Sequence, residues 1–194
     1  MVGEKKKAPK GKGDGDVEKV EATLKGAYEL FKNNLVVFIL AQVIVLVGSL
    51  FVITIPPLVF GLYCMALKGL RGKKLEIKDV FKGFDYLFTS WVMFLVGFIA
   101  IIVGLIFFVL PGLALMVLFN YAIAVAILEN RGGIASLKRS VRVTLDNLEY
   151  SIILWVLIAI LNGVGTRIPF AFLLTAPYTI IATSIAAVKL TGKQ

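Results

Sequence analysis

Residues 34–72 read NLVVFILAQVIVLVGSLFVITIPPLVFGLYCMALKGLRG. No charged residue occurs from 33 to 67, and Pro56 and Pro57 sit in the middle of the run. One kinked helix through 35–67 would be about 50 Å long at 1.5 Å per residue. A hydrocarbon core of roughly 30 Å cannot contain that length. Proline removes a backbone donor and clashes with the preceding turn. The run therefore predicts two spans joined at the prolines: Leu35–Ile55, then a return helix Pro57–Leu70. The return is short, with only eleven residues before Lys68. A lysine there can snorkel to the headgroups, and the bilayer can thin locally.

The same pattern recurs twice. Residues 92–128 carry no charge and are broken at Pro111-Gly112, a turn signal. This predicts spans Trp91–Leu110 and Gly112–Leu128. The third pair is Ser151–Leu161 or slightly beyond, then Ile168–Val188, with NGVGTRIP as a loop between them. Composition agrees. Across 194 residues the hydrophobic share is 59% and the charged share 17%, and mean hydropathy is +0.91. Soluble domains average about 25% charge, and one this small cannot hide so much apolar surface. The expected fold class is all-α integral membrane: six transmembrane helices as three helical hairpins, each preceded by a cytoplasmic amphipathic helix.

An internal repeat ties the three together. Lys25, Lys82 and Lys138 recur at intervals of 55 to 60 residues, as do Pro56, Pro111 and Pro169, then Tyr63, Tyr121 and Tyr178, and finally Gly72, Gly132 and Gly192. The units are 17–72, 73–132 and 133–194, with 17–190 forming one membrane domain. The amphipathic starts are LKGAYELFKNN at 24–34, FKGFDYLFTSW at 81–91 and LKRSVRVTLDNLEY at 137–150. In the third, Ile134, Leu137, Val141, Leu145 and Leu148 keep helical period, while Lys138, Arg139, Arg142, Asp146 and Glu149 fall elsewhere. Such a helix lies in the headgroup plane. Residues 1–16, MVGEKKKAPKGKGDGD, read as a disordered basic tail. They are not a signal peptide, because the apolar run begins too late and extends too far.

Net charge is +9, and its distribution follows the membrane boundaries. With the N-terminus inside, every one of the 21 basic residues except Arg167 lies on the cytoplasmic side. The positive-inside rule expects that bias. It gives a multi-pass protein of the cell (inner or plasma) membrane with both termini cytoplasmic. Zinc-finger, Rossmann and P-loop spacings are absent, so nucleic acid is not the expected partner. The sequence has no histidine and one cysteine, Cys64, which leaves no His-based triad, base or metal site and no intrachain disulfide. The acids cluster at the cytoplasmic face, close to bases. An enzyme, a metal and a cofactor are not expected.

Two groups of residues are candidate sites. Lys138, Arg139 and Arg142, with Lys73, Lys74 and Lys78, are juxtamembrane bases suited to anionic headgroups; the plainer reading is a solvated face that sets topology. Gln42, Asn120, Thr183 and Ser184 are polar residues at membrane depth. They form either a polar patch for a solute or headgroup, or interhelical hydrogen bonds of roughly 0.6–2 kcal/mol each. Gly97 with Gly104, and Ala182 with Ala186, allow close helix approach, within a protomer or in a homo-oligomer. Pro177 interrupts the last span. Anionic lipids are the expected partner, and no particular protein partner can be inferred.

The segments GLYCMALKGLRGKKLEIKDVFKGFDYLF (61–88) and ILENRGGIASLKRSVRVTLDNLEYSIIL (127–154) carry a resemblance. The chain resembles small prokaryotic polytopic membrane proteins of unknown function related to the membrane domain of glycerophosphodiester phosphodiesterases. Their F-x-G-F segment corresponds to Phe81, Gly83 and Phe84. Their L-K-R-S segment corresponds to Leu137 through Thr144, with Asn147; Val141 stands where an aromatic is usual. The resemblance covers about residues 20–190. With no soluble phosphodiesterase domain before Gln194, it implies a fold and a membrane setting and not hydrolysis. Two functions are expected from these readings: a lipid-binding, scaffold or regulatory membrane protein, or a small-solute transporter or channel-like protein with a polar path between the hairpins.

Overall fold

The computed structural model describes residues 12–168 and 170–193. Among them the chain is helical throughout, without strands. The α-helices are α1 (Lys12–Asn33), α2 (Leu35–Gly48), α3 (Ile55–Leu70), α4 (Leu87–Phe107), α5 (Val109–Leu118), α6 (Ala122–Glu129), α7 (Gly133–Asp146), α8 (Leu148–Arg167) and α9 (Phe172–Thr191). A 3-10 segment, Ile77–Tyr86, leads into α4. Five stretches are long and apolar enough to cross a membrane: Val52–Leu70, Ile77–Phe107, Val109–Glu129, Leu148–Arg167 and Phe172–Thr191. A sixth is obtained if Gly15–Asn33 and Leu35–Gly48, bent by 88°, count as one. Helix α1 begins at Lys12, inside the stretch expected to be a tail; residues 1–11 lie outside the described residues.

Pro56, Pro57 and Pro111 do not sit at the turns. Helix α2 ends at Gly48, and Pro56 and Pro57 lie in the first turn of α3. A proline there removes an N–H that has no intrahelical partner anyway. Residues 49–54 make the turn instead. The Thr54 hydroxyl donates to the Gly48 and Phe51 carbonyls at 2.6 and 2.8 Å. The expected span Leu35–Ile55 is therefore a helix of 14 residues, about 21 Å long. Pro111 likewise lies inside α5, and the extended residue Phe108 makes the break. The expected span Gly112–Leu128 is divided between α5 and α6. In the third pair the expected loop is helical as far as Arg167, so the span thought to be short is a full 20 residues. Helix α8 ends at Arg167 and α9 begins at Phe172; between them Phe170 has φ 65°. Pro169 lies outside the described residues.

Helices α3, α6 and α9 pack on one another at the centre. Tyr63, Tyr121, Val125, Ala186 and Ala187 form one buried cluster between them. Each amphipathic segment runs antiparallel along one central helix. Helix α1 lies on α9, where Lys189 Nζ donates to Thr23 Oγ1 at 3.1 Å and the Tyr178 hydroxyl donates to the Leu24 carbonyl at 3.1 Å. Helix α7 lies on α6. The 77–86 segment lies on α3 at backbone contact: a Cβ on Gly61 would fall 1.7 Å from the Val80 oxygen, and one on Gly83 1.8 Å from the Pro57 oxygen. Only glycine permits that approach. Gly104 and Gly112 do the same for α4 and α5, where a Cβ on Gly104 would meet Gly112 Cα at 3.0 Å. Gly97 is at ordinary distance, its Cβ position lying 3.7 Å from Leu137.

The outer faces are strongly apolar. Leu50, Phe51, Val52 and Ile53, then Ile106 through Leu110, and Phe170 are exposed at the three reversals. Within the first reversal the backbone satisfies itself. Ser49, Leu50, Phe51 and Thr54 N–H groups donate to carbonyls three or four residues back, and Trp91 Nε1 donates to the Ile53 oxygen at 3.1 Å. Hydrocarbon demands that kind of closure.

Candidate functional site

The basic residues divide into two groups. One group is consumed by buried acids. Asp79, 1% exposed, ion-pairs with Lys68 at 2.6 Å and Lys82 at 2.8 Å. It also accepts the Glu76 backbone N–H at 2.9 Å, half of a capping box. Glu129, 2% exposed, takes Arg131 on one oxygen and Arg139 on the other, the latter at 3.2 Å. Each acid would carry a large desolvation cost if left unpaired. Lys78 pairs with exposed Glu76 at 2.6 Å, and its ammonium holds the Glu76 carboxyl below the usual carboxylate range.

The second group is free. Lys73, Lys74, Lys138 and Arg142 are exposed, with no ion pair among the described residues. Of the six bases expected to meet headgroups, four are thus available; Arg139 and Lys78 are engaged internally. Lys138 and Arg142 are four apart on α7, so they share one face. The opposite face of α7, with Ser136, Leu137, Ser140, Val143 and Thr144, is buried.

That buried face has a task the sequence reading missed. The Ser140 hydroxyl donates to the Leu118 carbonyl at 2.7 Å and accepts the Tyr121 N–H at 3.2 Å. Thr144 adds a longer bond to Leu118 at 3.4 Å. Leu118 and Tyr121 flank the break between α5 and α6, where the backbone loses its own partners. Nearby, the Tyr121 hydroxyl donates to Ser151 at 3.1 Å, and Thr23 meets the Tyr150 hydroxyl at 2.9 Å. The available signal was the i, i+4 spacing of Ser136, Ser140 and Thr144 on the side of α7 away from its bases.

The four polar residues expected at membrane depth come from three parts of the fold. Gln42 lies in α2 and Asn120 in the α5–α6 break, while Thr183 and Ser184 lie in α9. Thr183 and Ser184 donate to the Thr179 and Ile180 carbonyls of their own helix, at 2.9 and 2.8 Å. No hydrogen bond joins the four among the described residues. Gln42 Oε1 and Asn120 Nδ2 are buried without a partner.

A groove of about 560 Å³ runs between α1, α8 and α9, walled by Tyr28, Phe31, Leu161, Val164, Leu174 and Tyr178. Its walls suit hydrocarbon. Among the described residues no three histidine, cysteine or acidic side chains gather as a metal site would require. No family model, curated protein or solved structure matches this chain.

Proposed function

We propose that the chain is a non-enzymatic integral protein of the cell membrane that holds anionic lipid at its cytoplasmic face, as a scaffold or regulator. The observation that carries this reading is the division of charge. Buried acids are neutralised within the protein, while Lys138, Arg142, Lys73 and Lys74 stay exposed and unpaired beside apolar helices. A free cation at a membrane edge attracts anionic headgroups with about 1 kcal/mol per residue. The apolar groove between α1, α8 and α9 offers hydrocarbon a place on the protein.

In this proposal the chain has three hairpin units related by a repeat, with both termini in the cytoplasm. Support comes from the docking of α1 on α9, of 77–86 on α3 and of α7 on α6. Further support is that α3, α6 and α9 end alike, each in a left-handed residue: Gly72, Asn130 and Gly192. The repeat would close on itself, with the first amphipathic helix seated on the last central helix. The proposed kinship with prokaryotic proteins related to the glycerophosphodiester phosphodiesterase membrane domain has support in the roles of Gly83, Ser140 and Thr144, which lie in the two resembling segments.

The test is native mass spectrometry from mild detergent. The variant Lys138→Gln/Arg142→Gln should lose retained anionic lipid by about tenfold; unchanged retention defeats the proposal. A second reading, a solute path, draws on the unpartnered Gln42 Oε1 and Asn120 Nδ2. If Gln42→Ala and Asn120→Ala leave liposome fluxes of small polar solutes unchanged, that reading fails.

A further inference from the structure

The ends of α3, α6 and α9 enclose a pocket of about 230 Å³. Leu67 and Leu70 of α3, Leu128 of α6 and Val188 of α9 form its apolar wall. Arg71 and Lys189 are its only charged lining residues, and both are exposed. Neither has an acidic partner among the described residues. Three acids that follow or adjoin these helix ends are engaged elsewhere: Glu76 by Lys78, Asp79 by Lys68 and Lys82, and Glu129 by Arg131 and Arg139. Lys189 donates only to the neutral Thr23 hydroxyl, at 3.1 Å, which orients the ammonium without reducing its charge.

A plainer use for these cations would be to satisfy the carbonyls at three helix C-termini. The termini are largely closed by the backbone already. The Lys73 N–H donates to the Lys68 carbonyl at 3.3 Å, the Arg131 N–H to Ala126 at 3.1 Å and the Gly192 N–H to Val188 at 3.0 Å. Two basic residues thus line a small, mostly apolar pocket, and neither has an ion pair among the described residues. That combination fits an oxyanion attached to hydrocarbon. A guanidinium binds two phosphate or carboxylate oxygens in a fork, and an ammonium supplies a point charge beside it.

We infer that Arg71 and Lys189 form a binding site for a phosphate-type oxyanion on a small amphiphile, seated where the three central helices end. This deepens the lipid-binding reading but rests on different residues from the α7 bases. The anion could belong to a lipid headgroup or to a free phosphate ester, and the probes separate the two.

The experiment uses the full chain, delipidated in non-ionic detergent. Binding is read by native mass spectrometry and by thermal shift. The probes are oleoyl lysophosphatidic acid, oleoyl lysophosphatidylcholine and glycerol 3-phosphate. Lysophosphatidic acid should bind Arg71→Gln/Lys189→Gln about tenfold more weakly than the wild type, and the same loss should appear when the two changes are made in a Lys138→Gln/Arg142→Gln background. Arg71→Lys, which keeps the charge, should retain most of the binding; together with an unaltered ligand-free melting temperature it separates a lost site from a lost fold. Glycerol 3-phosphate bound with the same dependence on Arg71 and Lys189 identifies a free ester as the source and still supports the site. Equal binding of lysophosphatidylcholine, or lysophosphatidate binding unaffected by Arg71→Gln/Lys189→Gln, overturns the inference. Loss confined to Lys138→Gln/Arg142→Gln overturns it too, and leaves the α7 reading standing.

Discussion

Gly83→Ala tests one of the two tightest backbone approaches among the described residues. The added Cβ would lie 1.8 Å from the Pro57 oxygen and 2.4 Å from the Gly61 nitrogen. Both are backbone atoms in the first half of α3, so no side chain can turn aside. Ordinary contact begins at 3.4 Å, and the 77–86 segment must therefore retreat by about 1.6 Å. Overpacking alone costs about 1–3 kcal/mol. The retreat also strains the Lys68–Asp79 pair, now at 2.6 Å, and a buried carboxylate losing a partner costs up to about 3–5 kcal/mol. Lys82 sits on the same segment and moves with Asp79, so part of that cost is spared. A net loss of about 3–4 kcal/mol follows, or about 10 °C in melting temperature for a chain of this size. The assay is thermal unfolding in mild detergent, with Gly97→Ala as control. The Gly97 Cβ would meet Leu137 at 3.7 Å, and the gain in helix propensity should make that change neutral or slightly stabilising. A Gly83→Ala protein melting within about 2 °C of wild type, or a Gly97→Ala protein equally damaged, would refute the reasoning.

Glu129→Gln should lower stability by about 1 kcal/mol, since it removes two charged contacts while Arg131 and Arg139 keep access to solvent. It should also raise anionic-lipid retention, because Arg139 is released; native mass spectrometry showing no rise would contradict the division of charge drawn above. Ser140→Ala leaves the Tyr121 N–H and the Leu118 carbonyl short of a partner. A loss of about 1–3 kcal/mol is expected, and a thermal-melt change under about 0.5 kcal/mol would show that the α5–α6 break needs no support from α7. In a Cys64→Ala background, a cysteine introduced by Phe51→Cys should resist membrane-impermeant maleimide from both sides. The 14-residue α2 reaches only about 21 Å, so the reversal stays within hydrocarbon; labelling from the outer side of sealed vesicles would place it at the far surface instead.

The membrane character was legible because charge avoids hydrocarbon, and the charge-free runs mark the apolar helices closely. The reversals were displaced by a few residues for a local reason. Pro56, Pro57 and Pro111 signal that a helix cannot continue through them, but they are equally at home in the first turn of the next helix. The sequence pattern does not separate those cases. Arg167 likewise suggested a loop, yet it ends a full-length helix. Gln42 Oε1 and Asn120 Nδ2 are buried without a hydrogen-bond partner. No hydrogen bond joins them to Thr183 or Ser184 among the described residues; such pairing depends on the rotation of each helix about its axis, which residue spacing does not fix. The close approaches of Gly61 to Val80 and of Gly83 to Pro57 join residues 19 and 26 apart in sequence, and glycine alone does not announce its neighbour.

The three amphipathic segments are fastened to their central helices by different chemistry, and the difference decides which cations are spare. On α3 the helix supplies the base, Lys68, and the segment the acid, Asp79. On α6 the polarity is reversed: Glu129 comes from the helix end and Arg139 from α7. On α9 the base is Lys189, but its partner on α1 is the neutral Thr23. The first two ties cancel charge, and the third leaves one positive charge uncancelled beside Arg71. Had α1 carried an acid at position 23, the pocket between the three helix ends would hold a closed ion pair. With threonine there, Lys189 is held in place while its charge remains available to a ligand. The same comparison explains why Arg139 is a weaker headgroup candidate than Lys138 and Arg142, although all three lie within one turn of α7. Proximity in sequence grouped them; the buried carboxylate of Glu129 separates them.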